Sequence, residues 1–357
     1  MKPKQKENPL ESCFIIPSDN PTEEPVRIIE NLIQKGRRRI IVVDDGSRKE
    51  TLPYFHRVEE LGVRVIHHEK NFGKGHSIKT GIQNAPLLFP DVSCIVTADS
   101  DGQHKADDIC NIAMAAEQTP DQITLGSRDL KGQEIPFRSR FGNSFSAIYF
   151  RFLTGVRCDD TQTGLRGIPR QFFDFAANIP GERYDYEMNF LIEAARKRIP
   201  FQKIPIKVIY AEGNNTSHFR PVRDSLLIYK QPLRFMTSSL SSCVLDFSLF
   251  TLFIFCFQHF QWRIATATIF ARCISGVFNY TLNKYWCFQS QKKRSGNEFL
   301  KYAALFLFIM CLSSVLVTLF NSIFNDVFVT IIKIFIDTAL FLLSYKVQHS
   351  WVFLKKD

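Results

Sequence analysis

Charge is distributed so unevenly along this chain that it constrains the architecture before any motif is read. From Met236 to Asp357 there are 11 basic and 5 acidic residues in 122 positions, whereas the first 235 residues carry the other 34 basic and 30 acidic ones. The same last third holds 18 of the 34 Phe residues. A single soluble domain does not shed charge and collect Phe in one block, so a wholly soluble protein is excluded. Four apolar stretches, 238–258, 264–288, 299–320 and 328–347, each approach the ~20 residues that a helix needs to cross a hydrocarbon core. Such spans have to be helical, because lipid gives the backbone no hydrogen-bond partner. The pattern predicts a polar tail at 1–11, a domain at 12–220, an amphipathic juxtamembrane segment at 221–235 and a four-helix transmembrane domain at 236–357.

Basic residues between the spans set the expected orientation. Lys292, Lys293 and Arg294 lie in the connection after the second span, and Lys355 and Lys356 in the tail; the other connections hold Arg263 alone or nothing basic. The positive-inside rule places the 12–220 domain, the middle loop and both termini in the cytoplasm, with the plasma membrane as the site. Asp246, Arg272, Lys333 and Asp337 fall inside the spans, where charges face a bundle interior as a structural pair, a pathway or a headgroup contact. Lys333 and Asp337 are spaced to pair on one helix face.

The net charge of +10 suits an anionic bilayer surface, and no nucleic-acid partner is expected. The nine Cys form no CxxC pair and five lie in the apolar third, so they read as small buried hydrophobes in a reducing setting. Met1 to Glu11 is polar and reads as no secretory signal.

From Ser12 to Tyr210, apolar runs alternate with helical patterns. Strands are expected at Cys13–Pro17, Arg39–Asp44, Val63–His67, Ser93–Asp99, Gln122–Gly126 and Phe201–Tyr210, and helices near 22–35, 74–84, 106–118 and 184–197. This alternation predicts an α/β domain with a mostly parallel sheet, which binds ligands beyond the carboxyl ends of its strands. The chemistry-bearing residues fall there. Ile40 to Ser47 is a buried strand ending in Asp44 and Asp45, carboxylates that suit a base or ribose, although Asp-Gly-Ser is also ordinary turn chemistry. After the strand at Ser93, an extended segment would turn Asp99, Asp101 and Gln103 to one face as hard oxygen ligands for Mg²⁺ or Mn²⁺. Asn71 to Gly75 opens a helix whose N–H groups and Lys74 could hold phosphate. Neither GxxxxGK[ST] nor GxGxxG occurs, so P-loop and nicotinamide readings lack support. Between Arg138 and Leu153, Phe141, Phe145, Ile148, Tyr149 and Phe152 fall at helical spacing among Arg138, Arg140 and Arg151. That fits a core helix or one lying on a membrane surface.

Together the motifs VVDDGS (42–47), NFGKG (71–75), ADSDGQH (98–104), GSR (126–128), DTQTGLRG (160–167), YDYEMNFLIEAARK (184–197) and NNTSHFRPVRDS (214–225) resemble a family 2 glycosyltransferase of the polyprenyl-phosphate sugar synthase kind, over about residues 12–230. NYTLNKYWCF (279–288) and YKVQHSWVF (345–353) resemble the two recurrent patterns of a GtrA-type membrane domain. The resemblance implies a GT-A type nucleotide-sugar-binding domain and inverting transfer of a hexose from a nucleotide diphosphate sugar to the phosphate of a polyprenol, undecaprenyl or dolichyl. By that match Pro17, Asp44, Asp45, Lys74, Asp99, Ser100, His218 and Arg220 serve the donor. Asp99, Asp101 and Gln103 hold the metal, while Arg128, Arg140 and Ser144 meet the lipid phosphate. Asp101 and Arg128 count as catalytic; Asp160 and Glu187 either assist catalysis or support nearby Arg residues. One departure is Asp19, which stands where the family usually has an aromatic residue and leaves UDP- and GDP-linked donors both open. Two rival readings are a processive polysaccharide synthase, whose QxxRW motif does not occur, and a lipid-linked-sugar translocation protein.

Overall fold

The structure, a computed structural model, describes residues 12–128, 137–207, 229–259, 261–289, 296–324 and 329–353. Two compact units divide the chain, Met1–Ile228 and Tyr229–Asp357.

The first unit is an α/β domain. Its strands are β1 (Ser12–Ser18), β2 (Ile40–Asp44), β3 (Arg64–His67), β4 (Cys94–Thr97), β5 (Ile123–Arg128), β6 (Arg166–Pro169) and β7 (Phe201–Ile206), and its helices are α1 (Glu24–Gln34), α2 (Leu52–Glu60), α3 (Lys74–Leu88), α4 (Ala106–Gln118), α5 (Phe137–Thr154), α6 (Phe173–Ala177) and α7 (Asp185–Arg196). They form one seven-stranded sheet in the order β3-β2-β1-β4-β6-β5-β7. All neighbours run parallel except β6, which pairs antiparallel with both β4 and β5. The six other strands fall where the sequence expects them; β7 ends at Ile206, and positions 208–210 of the expected Phe201–Tyr210 strand lie outside the described residues. β6 has no counterpart in the sequence expectation, because four residues reading Arg-Gly-Ile-Pro show no alternation.

β1 is buried along its whole length, as a central strand covered on both faces must be. Phe14 and Ile16 pack in the cluster that holds Ile29 and Leu32 of α1 and Ile109 and Ile112 of α4. Ile15 points to the opposite face, against Gly81 of α3, where an added Cβ would lie 2.5 Å from Ile15 Cγ2. Each such side chain withdrawn from water contributes on the order of 1.5–3 kcal/mol. The order reverses between β1 and β4, and that switch point gathers the ends of β1, β2 and β4 on one edge.

The second unit contains four long helices, α8 (Lys230–Cys256), α9 (Arg263–Leu282), α10 (Gly296–Phe324) and α11 (Val329–Val347). Among the described residues, α8 is the one helix long and apolar enough on its own to cross a bilayer, with a mean hydropathy of 1.8 over an 18-residue window. It starts at Lys230, eight residues before the apolar stretch that marks it in the sequence. α9 and α11 each end in a turn of π-helix, Asn283–Cys287 and Gln348–Val352. Of the charged residues expected inside the spans, Asp246 accepts a hydrogen bond from Ser275 Oγ (2.9 Å) and lies 3.5 Å from Arg272 Nε, an intrabundle pair. Asp337 accepts one from Ser313 Oγ (2.6 Å). The side chain of Lys333 and the basic cluster at 292–294 lie outside the described residues.

Candidate active site

The site is built on the strand ends at the switch point. The first two carboxylates close the backbone around it. Asp44 Oδ1 accepts the Ser47 N–H three residues on (2.9 Å), and Asp44 Oδ2 lies 2.8 Å from His67 Nδ1. The parallel register sets Asp44 opposite His67, so the two side chains share a face. Asp45 takes both of the following N–H groups: Phe72 N at 3.0 Å on Oδ1 and Gly73 N at 2.7 Å on Oδ2, with His68 Nδ1 3.0 Å from Oδ1. Asp45 therefore fixes the point where α3 begins. Gly46 and Gly73 are required as glycines, having positive φ and a virtual Cβ within 2.4 Å of backbone, that of Lys70 and of Glu182 respectively. Pro17 lies in β1 opposite Val43, and Asn20, with φ +48, bonds across to Ser47 and Arg48.

With α3 so placed, Lys74 Nζ lies 2.6 Å from Asp99 Oδ1 and 2.8 Å from Glu187 Oε1. It bridges the segment after β4 to the first turn of α7. Burial alone would lower the Lys74 pKa, but the charges of Asp99 and Glu187 outweigh it and hold the ammonium well above its ordinary value. Burial likewise works to raise Asp99, and Lys74 and then His104 bring it well below the carboxylate range. His104, itself buried, has Nε2 3.7 Å from Asp99 Oδ2. Asp101 goes the other way, pushed up first by burial and then by the like charge of Asp99. Its Oδ1 caps the turn by accepting the Gln103 N–H at 3.1 Å. Ser100 and Gln103 are half-buried beside it.

Asp99, Asp101 and Gln103 offer hard oxygen donors of the kind a divalent cation takes, and the repulsion that raises Asp101 is what such a cation relieves. Among the described residues no three His, Cys, Asp or Glu side chains form a complete cage. The residues fit a cation of the Mg²⁺ type, which is held by one or two carboxylates and completed by water and substrate phosphate.

At the end of β5, Arg128 is held by a two-pronged pair with Asp160, Nε to Oδ2 and Nη2 to Oδ1, both 2.7 Å. The Arg128 N–H adds a third bond to Oδ2 (3.1 Å). Both oxygens of the buried Asp160 accept from Arg128, and Oδ1 also accepts the Gln162 N–H (3.3 Å), an arrangement that orients Arg128. The 158–162 loop is tied to α5 by Asn143, whose Oδ1 accepts the Thr161 N–H, and by Gln162, which donates to Ser146 Oγ. On α5, Arg140 is half-buried and Ser144 exposed one turn later. Phe141, Phe145 and Ile148 are 65%, 51% and 68% exposed, so this helix turns an apolar stripe outward. His218 and Arg220 lie outside the described residues.

Several participants carried no readable signal of their own. The pairing of Lys74 with Glu187 depends on α7 being folded back across the strand ends. Gly164 matters only because an added Cβ would lie 2.4 Å from Asp99 Oδ1. Arg166, buried with its guanidinium 5.0 Å from the Phe190 ring, is hidden in β6.

Comparison with known proteins identifies the family. A profile described as glycosyl transferase family 2 matches residues 13–175, and one described as GtrA/DPMS, transmembrane domain, matches 214–353. An uncharacterised protein of Methanocaldococcus jannaschii is 31% identical over 213 residues, covering 57% of this chain and 84% of that one. The UDP-N-acetylglucosamine–dolichyl-phosphate N-acetylglucosaminyltransferase of Methanococcus voltae is 29% identical over 217 residues, 56% of this chain and 86% of that one. The human dolichyl-phosphate β-glucosyltransferase is 29% identical over 232 residues, 57% and 69%. Among solved structures, mannosyl-3-phosphoglycerate synthase from Rubrobacter xylanophilus aligns with a TM-score of 0.48 at 14% identity, over 65% of this chain and 74% of that one. The chain belongs to glycosyltransferase family 2 and carries a GtrA/DPMS transmembrane domain. It is a membrane-bound glycosyltransferase.

Proposed function

We propose that the chain transfers one hexose, or its N-acetylamino derivative, from a nucleoside diphosphate sugar to the phosphate of a long polyprenol, inverting the anomeric carbon at the cytoplasmic face. The observation that carries this reading is the Lys74–Asp99–Glu187 bridge beside Asp101, in a chain that also carries a membrane domain. The dolichyl-phosphate acceptors in the names of the relatives support it, and the Methanococcus voltae name favours UDP over GDP as the carrier.

The acceptor phosphate is already an anion near neutral pH, so the site needs no strong base. Its difficulty is to bring two phosphorylated molecules together and to stabilise the departing diphosphate. Asp99, Asp101 and Gln103 would hold Mg²⁺ or Mn²⁺, which supplies Lewis-acid stabilisation of that diphosphate. Lys74 then has a second use, since donor phosphates entering the site compete with Asp99 and Glu187 for its ammonium. Glu187, released from Lys74, faces the donor side as an acceptor for sugar hydroxyls. Arg128, locked in direction by Asp160, turns its guanidinium charge to the lipid phosphate, with Arg140 and Ser144 alongside. By the family match, His218 and Arg220 serve the donor diphosphate. Phe141, Phe145 and Ile148 rest on the bilayer surface, and four spans hold the site at the interface, where the polyprenyl tail remains in lipid.

The test is a transfer assay in detergent, with undecaprenyl or dolichyl phosphate, Mg²⁺ or Mn²⁺, and a panel of labelled UDP- and GDP-sugars. Label passing from one donor into an acid-labile, organic-extractable product supports the reading and names the sugar. Nucleotide and metal binding with no transfer to either lipid overturns it in favour of a translocation protein.

A further inference from the structure

The second unit repeats itself. Arg234, near the start of α8, donates from Nη1 to the Trp286 carbonyl (3.0 Å) and sits 5.5 Å from the Trp286 ring. Lys301, near the start of α10, donates from Nζ to the Trp351 carbonyl (3.3 Å) and sits 5.0 Å from the Trp351 ring. The next residues repeat as well: Phe235 packs on Tyr345 at 5.0 Å, and Tyr302 packs on Tyr280 at 5.3 Å. Deeper in each hairpin, Asp246 faces Arg272 where Ser313 faces Asp337. Asn283 donates to Asn279 as Gln348 donates to Ser344, each from a π-turn.

Two contacts join the copies at equivalent positions. Asn283 Nδ2 donates to Gln348 Oε1 (3.0 Å), and Phe288 stacks on Phe353 with centroids 5.0 Å apart. Same-to-same contacts mark a two-fold axis, here inside one chain. Because the first helix of each hairpin starts, and the second ends, at this same end, the axis runs along the helices. The copies differ in charge: Lys284 forms a buried pair with Glu298 at 2.9 Å, and the corresponding places in the other half hold His349 and Gln231.

We infer that 230–288 and 297–353 are two copies of one helical hairpin, and that their shared end is a paired anchor for anionic phosphate headgroups of the bilayer. The chemistry of that end fits such a partner. Trp286 and Trp351 are 40% and 47% exposed, and Tyr285 stands out beside them, the amphipathic rings that membrane interfaces select. Arg234 and Lys301 each use one donor on a carbonyl and lie over an indole face, which keeps the cation at headgroup level with further N–H groups for phosphate oxygens. The twofold arrangement sets both cations at one depth. A π-turn in each copy turns the indole toward its cation at the same place, a local departure from α-helix that tends to mark function.

The chain has three Trp residues, which makes depth measurable. In the full chain reconstituted in vesicles, W262F/W351F leaves Trp286 alone and W262F/W286F leaves Trp351 alone. Bromine placed high on the acyl chain should quench both more than bromine near its end, and by the same ratio. One shallow and one deep indole, or two indoles at mid-bilayer, overturns the duplication-based anchor. Lipid selectivity is read by spin-labelled phosphatidylglycerol against phosphatidylcholine around the intact protein. Arg234→Gln and Lys301→Gln should each lower the preference for the anionic lipid about fivefold, from the stabilisation expected per basic residue at an anionic surface. Arg234→Lys with Lys301→Arg should retain it. Unchanged selectivity in the doubly neutral variant, in a protein whose helix content is intact, overturns the headgroup assignment.

Discussion

In the catalytic unit large apolar side chains are inside, whereas in the membrane unit Phe247, Phe255 and Phe335 stand at 66%, 70% and 73% exposure and the polar residues turn in. The polar interiors differ in arrangement. The buried carboxylates of the first unit, Asp44, Asp45, Asp160 and Glu187, gather around the site among neutral Ser and Thr side chains. In the second unit Ser238, Asn283 and Gln348 line the hairpin seam, and its buried charges are matched, Asp246 with Arg272 and Lys284 with Glu298. A charge is tolerable where a ligand or solvent can reach it, and a neutral amide where only another side chain can. α5 resembles the second unit in turning Phe141, Phe145 and Ile148 outward, the feature on which the proposed contact with a lipid surface rests.

This contrast can be broken in graded ways. Asp101→Ala should have the largest effect, lowering transfer about 10³-fold by the scale of removing one electrostatic stabiliser, with the thermal transition unchanged because Asp101 packs against no core. Full activity in that variant would remove Asp101 from the cation site. Chelation with EDTA should abolish transfer to a similar extent, and excess Mg²⁺ or Mn²⁺ should restore it; activity that persists in chelator tells against a divalent cation. Lys74→Met should be milder, about 10²-fold in transfer. It should also destabilise the first unit, because two carboxylates lose their shared cation, and added Mn²⁺ with nucleotide should recover the melting temperature. Loss of stability without such recovery would mean that Lys74 is only a structural bridge.

Replacing Phe141, Phe145 and Ile148 together by Ser should weaken transfer to lipid acceptor about tenfold while leaving nucleotide binding alone, from the few kcal/mol of apolar area involved. Vesicle binding of the isolated interaction is not needed; a shift in acceptor KM with donor KM constant is the readout. The smallest effect concerns thiols. Cys13, Cys94, Cys110 and Cys158 are buried in the first unit, while Cys243, Cys256, Cys273 and Cys311 are exposed on the second. Burial pushes the Cys13 thiol up to about 12, only partly opposed by Arg39. A thiol raised by folding contributes stability that is whole below its unfolded pKa near 8.5 and lost as pH rises toward the folded value. Water-soluble maleimide at pH 8 should therefore leave the first four Cys unlabelled, and alkaline titration should destabilise the wild type more than Cys13→Ala. Labelling of Cys13 in the folded protein would contradict its burial.

Much of the fold was legible because period and punctuation carried it. Strands such as Ile40–Asp44 are unbroken apolar runs, and their carboxylates follow at once. β6 was illegible because Arg166–Pro169 is short and ends in Pro, and its role as an antiparallel strand depends on partners on both sides. α2 was missed because Leu52–Glu60 buries only Phe55 and Val58. At the site, Asp99 and Asp101 could be read from their place beyond a strand. The histidines that hold Asp44 and Asp45 could not, since a one-residue change in the β2–β3 register would turn them away. Lys74 could be read as a phosphate ligand but not as the partner of Glu187, a contact between segments far apart in sequence.

Gly164 carries no functional group, yet an added methyl there would meet the Asp99 carboxylate at 2.4 Å, where Lys74 already holds it. The usual signs by which a damaging variant is recognised, a lost charge, a lost core side chain or a broken helix, are all missing from Gly164→Ala. A methyl at that position would act at a distance from its own side chain, by pushing Asp99 away from Lys74, and would cost transfer together with part of the stability that the bridge supplies.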